Sequence, residues 1–509
     1  MRALLVTSVS AACAAALTLP LAAPAASAPL AHPGSGRPPS TSPASPGAGP
    51  PASVRATGAE PAGSTQSLPL APLAAPSNRV AGAAPAQGLP QRDARPFSLV
   101  GVVWDDAEAE LHGTVQVRTR ATGTTRWSDW QDIETHNADH AADLGSAERE
   151  GRTVRGSTAP LWVGDSDGVE VRVRPEAPDP QDRAATLVPL PEGMRLELVD
   201  PGEDPAPEPA SKPAPEPEPA RGAPTTRSAV PATLPAALSA TVPATLPAGF
   251  ADTPPPAAAA VVPEALTAEI AAASAVNAEL APLGATLIPA LTKAETEEAM
   301  NFAPGAKPYI GPRPKIVTRK GWGADEKLRE RNFAYTKTVK AAFVHHSATG
   351  NNYTCQQAPS VLRSIYRYHV KSSGWRDFGY NFAVDKCGNI YEGRAGGVTK
   401  AVLGAHTLGF NTNTMGIAVL GTYSSSNPPA AAVTAVSKLT AWKLGLFGAN
   451  PKGKVTLVSG GSNKYKAGVQ VSMNVISGHR DGFATECPGA RLYKKLGTAR
   501  TSSAKLQGR

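Results

Sequence analysis

The chain has 509 residues with a formal net charge of +8, and it contains 51 prolines but only 4 cysteines. Most of the prolines precede residue 310 in Ala/Pro/Ser-rich stretches that cannot bury enough apolar surface to fold, which excludes one globular body over the full length. Residues 301–509 carry 30 basic and 8 acidic side chains, whereas residues 1–300 are net acidic.

The N-terminus has the pattern of an export signal. Arg2 precedes an apolar run from Ala3 to about Ala23, and small residues follow at 25–28. We therefore expect a signal peptide at 1–28, a secreted and cell-wall-associated protein, and no stable membrane span after cleavage. In such a protein the basic C-terminal half favours acidic cell-wall polymers over nucleic acid as partners. The alternative is that the charge only aids solubility.

Composition divides the rest of the chain into four parts. Residues 29–95 and 201–310 are rich in proline and alanine and are predicted to be linkers. Residues 96–200 contain short segments that alternate apolar and polar residues, which predicts a small β-sandwich-like domain. Residues 311–509 are predicted to form the main globular domain.

Two groups of residues in the β-rich part attract attention. Trp127 and Trp130 could stack on a sugar, and a polar cluster could bind a cation: His136, Asp139, His140 and Asp143. Tryptophans of this kind more often belong to a core or an edge, and such a cluster is more often a solvated loop. We assign no chemistry to either group.

The C-terminal part alternates buried strands with amphipathic helices. Residues 341–347 and 415–421 are apolar runs typical of core strands, and residues 358–370 and 431–447 have helical periodicity. This alternation around one sheet predicts an α/β or α+β domain, of which we favour α/β.

Cysteine and histidine residues suggest a metal centre here. After export three cysteines remain, and Cys355 with Cys387 is the favoured disulfide, although another pairing or none is possible. Cys487 is then free to act as a thiolate ligand. Together with His345 and His479 it could bind Zn²⁺ and leave a fourth position open for water, as catalytic sites do. His346 is adjacent to His345 in a strand, so only one of the two can face this site.

Six motifs in unbroken order resemble the peptidoglycan recognition protein family, which includes zinc N-acetylmuramoyl-L-alanine amidases related to phage T7 lysozyme. They are Phe343 to Ala348, Gly374 to Phe382, Gly388 to Arg394, Gly404 to His406, Asn413 to Ile417 and Gly478 to Gly489. The resemblance implies a central mixed sheet with flanking helices over 311–509. It also implies Zn²⁺ ligands at His345, not His346, and at His479 and Cys487.

The same resemblance assigns further roles. Tyr380 would assist the chemistry with a hydrogen bond to the developing oxyanion or to the water, and Thr485 would hold water or substrate in register. His406 and Arg394 would contact substrate. Glu486 is expected to have no catalytic role, since its side chain should point away from its neighbour's.

The implied function is hydrolysis of the lactyl–L-alanine amide between muramic acid and the stem peptide of peptidoglycan. The alternatives are a non-catalytic peptidoglycan-binding protein and a wall adhesin in which the β-rich domain is the functional part. Residues 395–405 lack a tryptophan common in animal relatives, so a preference for lysine or diaminopimelate in the stem peptide is not predicted. Residues 452–471 resemble an inserted hairpin.

Overall fold

The computed structural model describes residues 63–73, 86–135, 140–177, 188–204, 266–300 and 309–509. All of them belong to one compact unit, residues 59–509. The predicted signal peptide and most of the two predicted linkers lie outside the described residues. Residues 63–204 are called the N-terminal module below, and residues 266–509 the C-terminal domain.

The N-terminal module is built on one eight-stranded antiparallel sheet. Its strands are β1 (Ser64–Pro69), β2 (Ala71–Pro72), β3 (Gln87–Trp104), β4 (Gly113–Ala121), β5 (Gln131–Ile133), β6 (Gly156–Ser157), β7 (Leu161–Pro175) and β8 (Arg195–Asp200). They are ordered β1-β8-β3-β7-β4-β5, with β2 and β6 paired to β3. Alternate residues of β4 and β7 point into the core, as the period-two pattern predicts.

This sheet begins earlier than the sequence predicts. Strand β1 and the first half of β3 fall within 29–95, which composition assigns to a linker. Residues 90–93 of β3 are exposed polar or proline positions without alternation, so the segment lacks the signal by which strands are recognised. The β-rich character of the module is confirmed.

The C-terminal domain also begins before the predicted boundary at 311. Residues 266–300 form α1 (Ala268–Ala275), β9 (Leu287–Ile288) and α2 (Lys293–Ala299). Strand β9 pairs with the main sheet, and Asn277 Nδ2 donates to buried Glu392 Oε1 at 2.8 Å. This alanine-rich segment packs against the domain although it has no apolar stripe of its own.

A seven-stranded mixed sheet forms the centre of this domain, in the order β17-β11-β14-β12-β13-β10-β9. The strands after β9 are β10 (Ile316–Val317), β11 (Ala341–His346), β12 (Phe382–Val384), β13 (Ile390–Glu392), β14 (Thr414–Val419), the separate hairpin β15 (Lys454–Val458) with β16 (Gln470–Asn474), and β17 (Ile476–Gly478). Strands β17, β11, β14 and β12 are parallel neighbours. They are buried on both faces, which explains their apolar runs.

Helices cover both faces of this sheet. They are α3 (Ala358–Arg367), which continues as a π-helical turn to Ser372, α4 (Ala430–Gly445), the short α5 (His479–Gly482) and α6 (Ala490–Tyr493), and α7 (Leu496–Gln507). Helices α4 and α7 pack against each other and contribute to one core, and α3 contributes to the other. This confirms the predicted α/β architecture with a second, β-rich part. The hairpin expected at 452–471 is present as β15 and β16.

The N-terminal module packs on the helix α3 side of the domain. Leu99 and Val103 of β3 share an apolar cluster with Leu362 and Ile365 of α3. The buried hydroxyl of Tyr368 donates toward the carbonyls of Thr158 and Val102, at 3.1 and 3.3 Å.

The close approach of the Tyr368 side chain to β3 requires a glycine in that strand. A Cβ placed on Gly101 would lie 2.4 Å from the Tyr368 hydroxyl oxygen. The module and the domain therefore share one packed core.

The predicted disulfide is present. Cys355 and Cys387 are bonded, with their Cα atoms 6.2 Å apart, and Cys487 is a buried free cysteine. The bond joins the loop before α3 to the turn between β12 and β13. Among the described residues, no helix is both long and apolar enough to cross a membrane.

Candidate metal centre

Parallel pairing brings the two predicted histidine ligands together. Val344 of β11 is in register with Gly478 of β17. The next residues along the chain are His345 in β11 and His479 at the start of α5, and both are fully buried. Their ring centroids are 4.5 Å apart.

Cys487 completes this group from the loop after α5. Its Sγ lies 3.8 Å from His345 Nδ1. The backbone N–H of Arg480 donates to the Cys487 carbonyl at 3.0 Å, which folds the loop back over the start of α5. All three predicted ligands therefore meet in one place.

A fourth donor joins them from the N-terminal module. His140 is buried, and its Nε2 lies 3.6 Å from Cys487 Sγ. Potential ligand atoms of His140, His345, His479 and Cys487 all lie within 4.8 Å of one another. The interpretation of this polar cluster as a solvated loop was wrong for His140, which is enclosed between the module and the domain. His136 and Asp139 of the same cluster lie outside the described residues.

The donor set fits Zn²⁺. Tetrahedral bonds of about 2.1 Å to nitrogen and about 2.3 Å to sulfur correspond to a nitrogen–sulfur separation of about 3.6 Å. The two separations from Cys487 Sγ, 3.6 and 3.8 Å, are close to that value. Burial and the neighbouring imidazoles lower the pKa of His345 well below its ordinary value, so the ring is held in the neutral form that binds metals.

A polar shell orients the ligands. Thr407 Oγ1 lies 3.4 Å from His345 Nε2 and 3.1 Å from His406 Nδ1. His346 points to the opposite face of β11, where its Nδ1 accepts from Tyr423 N–H at 3.3 Å. Its Nε2 lies 3.4 Å from Glu134 Oε1. The rings of His345 and His346 thus have separate surroundings, as their strand positions predict.

The other predicted site residues lie at different distances from this centre. The ring of buried Tyr380 is 5.3 Å from that of His345. Thr485 Oγ1 accepts from Cys487 N–H at 3.2 Å and so shapes the ligand loop. Glu486 is exposed and pairs with Arg480 at 3.1 Å. The structure thus places Tyr380 beside the ligands and Thr485 in the loop; their catalytic roles stay predictions.

The two predicted substrate contacts are covered. His406 is completely buried, with its ring centroid 5.4 Å from that of His345. Arg394 forms a buried ion pair with Glu148 of the N-terminal module, and its Nη1 donates to Leu403 O at 3.0 Å. Their roles toward substrate stay predictions.

Comparison with known proteins supports this description. Residues 335–490 match the family model "N-acetylmuramoyl-L-alanine amidase". Residues 51–215 match "Rv3811 N-terminal galactose-binding domain-like". Peptidoglycan-recognition protein SC2 of Drosophila melanogaster is 31% identical over 185 residues, which are 36% of this chain and 85% of that protein.

The chain belongs to the peptidoglycan recognition protein family. This confirms the resemblance drawn from the six motifs. Another relative is a human N-acetylmuramoyl-L-alanine amidase, 31% identical over 189 residues, or 36% of this chain and 28% of that protein.

Solved structures of the family are also similar. Drosophila PGRP-LB is 25% identical and covers 36% of this chain and 92% of its own, with a TM-score of 0.29. A PGRP-LE structure in complex with tracheal cytotoxin is 28% identical, covering 36% of this chain and 92% of its own, with a TM-score of 0.28.

Proposed function

We propose that this peptidoglycan recognition protein is a secreted, zinc-dependent N-acetylmuramoyl-L-alanine amidase. Its family membership and the matched amidase model support a role in peptidoglycan binding or cleavage. The observation that carries the finer proposal is the convergence of His345, His479 and Cys487, with spacing that suits a tetrahedral ion. Family relatives crystallised with tracheal cytotoxin support peptidoglycan as the substrate class.

Each ligand is held in place before any metal binds. His345 and His479 are positioned by the register of β11 and β17, and Cys487 by the hydrogen bond that its backbone N–H donates to Thr485 Oγ1. When bound, zinc acts as a Lewis acid that activates water and polarises the amide carbonyl.

Tyr380 is the best-placed group to assist. Its ring lies beside His345 and is buried, so its hydroxyl acts in a site from which water is largely excluded. A hydrogen bond from this hydroxyl to the developing oxyanion would be strengthened by the low local dielectric. Tyr380→Phe is expected to lower turnover 10²- to 10³-fold with zinc still bound.

The export signal supports an extracellular location. The Cys355–Cys387 disulfide and the positive charge of residues 301–509 suit a protein that acts on the acidic cell wall. Acidic wall polymers are therefore proposed as additional partners, and nucleic acid is not.

The test measures zinc content and new L-alanine N-termini released from purified peptidoglycan of the lysine and diaminopimelate types. Because His140 lies among the ligands, both the wild-type chain and His140→Ala are assayed. One zinc per chain and release by at least one of the two proteins are expected. In the protein that releases L-alanine ends, Cys487→Ala should lower the zinc content and abolish release, and the adjacent exposed change Glu486→Gln should leave both intact.

A different result would favour the alternative of a binding protein. If both proteins bind zinc and sediment with peptidoglycan but neither frees L-alanine ends, the chain is not an amidase.

A further inference from the structure

The metal centre has more protein donors than a zinc hydrolase needs. Catalytic zinc sites keep three protein ligands and an open position, whereas structural sites close all four. Here His140 is a fourth potential donor beside the other three, with its Nε2 3.6 Å from Cys487 Sγ and its ring 4.5 Å from that of His479. The same ring is 5.8 Å from that of Tyr380. The ring of His140 therefore lies near both the ligands and the residue proposed to assist the reaction.

Contacts on the C-terminal side of His140 anchor this part of the module. Asp143 Oδ1 accepts from Gly409 N–H at 2.7 Å and from Asn411 Nδ2 at 2.8 Å. Asn411 Nδ2 also lies 3.1 Å from the carbonyl of Ala141. The side-chain oxygen of Asn411 in turn accepts from the backbone of the loop that carries His406. His140 is thus placed by specific polar contacts and not by apolar packing alone.

A second anchor lies a few residues further along the module. Glu148 pairs with Arg394 in a setting where both side chains are only 5% exposed. Arg376 also donates to the backbone carbonyls of Glu148 and Glu150, at 3.1 and 3.2 Å. These contacts cover Arg394, the residue expected to meet the stem peptide. The module therefore covers part of the expected substrate surface and also places His140 beside the metal ligands.

We propose that His140 is a fourth protein ligand of the zinc ion and that the N-terminal module holds the amidase latent until this histidine withdraws. The proposal rests on the proposed function for its consequence, but the ligand itself can be tested independently of activity. Withdrawal of His140 would leave His345, His479 and Cys487 on the metal with one position for water. The same movement would separate Glu148 from Arg394 and expose the substrate surface.

The first test is a crystal structure of the zinc-loaded wild-type chain at the zinc absorption edge. Four protein ligands are expected, with His140 nitrogen about 2.0–2.1 Å from the metal. A zinc ion bound to the other three residues and a water, with His140 turned away, would overturn the proposal. This measurement requires no substitution, so it does not depend on the folding of a variant.

The second test compares His140→Ala with His112→Ala, a matched control at a histidine of the same module whose side chain is 45% exposed. His140→Ala should raise the zinc dissociation constant at least tenfold, change the visible absorption of the Co²⁺-substituted protein, and raise the release of L-alanine ends at least tenfold. His112→Ala should match the wild type in all three measurements.

The outcomes separate the two proposals. Unchanged zinc affinity and an unchanged Co²⁺ spectrum in His140→Ala would refute the fourth ligand. Weaker zinc binding by His140→Ala, with release of L-alanine ends equal to that of the wild type, would refute latency. Weaker zinc binding with no cleavage by either protein would establish the ligand and refute the amidase function instead.

Discussion

Replacing Glu148 with glutamine should loosen the docking of the N-terminal module on the C-terminal domain. The change leaves the buried Arg394 guanidinium without its counter-charge, although Nη1 still donates to Leu403 O. Removing one partner of a buried ion pair costs about 3–5 kcal/mol. Glutamine retains an oxygen that accepts a hydrogen bond, so we expect the lower end, about 3 kcal/mol. That corresponds to roughly a hundredfold shift toward the undocked state.

Hydrogen–deuterium exchange of peptides spanning 140–149 and 403–411 measures this shift. Both should exchange faster in Glu148→Gln, by up to about a hundredfold where exchange occurs through undocking. The matched control is Glu150→Gln, an exposed position in the same segment that contacts Arg376 through its backbone carbonyl. The control should exchange as the wild type does. Equal protection in the two variants, or less than a threefold change in Glu148→Gln, would show that the ion pair does not secure the docking.

Three further predictions concern stability. Tyr368→Phe should lower the free energy of unfolding by about 1–2 kcal/mol, because the carbonyls of Thr158 and Val102 lose the buried Tyr368 hydroxyl, although Val102 O still accepts from Thr158 N–H. Gly101→Ala should cost about 1–3 kcal/mol through collision with the same tyrosine. Burial lowers the pKa of Lys443 from 10.5 to about 7, so the unfolded chain binds more protons between those values. Wild-type stability should therefore rise with pH from about 7 to 10.5 relative to Lys443→Met.

Urea unfolding at fixed pH measures the first two changes, and a series from pH 6 to 10 measures the third. If Gly101→Ala costs the same in the presence and absence of Tyr368→Ala, the collision is not with this side chain. A difference between wild type and Lys443→Met that stays constant with pH would show that this ammonium is not forced to lose its proton by folding.

Much of the C-terminal domain could be predicted because its signals are local. The apolar runs of β11 and β14 and the helical spacing of α3 and α4 show in the sequence alone. The meeting of His345 with His479 depends on the parallel register of β11 and β17, which spacing along the chain does not reveal. The order of the motifs predicted this meeting instead, because the resemblance to the family implies the family's tertiary arrangement.

His140 shows where local reasoning fails. A polar segment with two histidines and two aspartates has the composition of a solvated loop, and nothing in it indicates a partner 347 residues away. The early start of the sheet was missed for a related reason, because exposed polar positions interrupt the alternation in β3. In both places the structure depends on contacts between residues far apart in the sequence, and no short stretch of sequence reveals such contacts.

His140 and the metal centre that it is proposed to complete belong to one polypeptide. Their stoichiometry is therefore fixed at one to one from synthesis onward, and dilution outside the cell cannot separate them as it would separate a dissociable inhibitor. A tethered group also experiences an effective concentration on the order of millimolar, whatever the abundance of the protein. A wall-degrading enzyme regulated in this way would stay off at any expression level, so its activity would follow the arrival of a releasing signal and not the amount secreted.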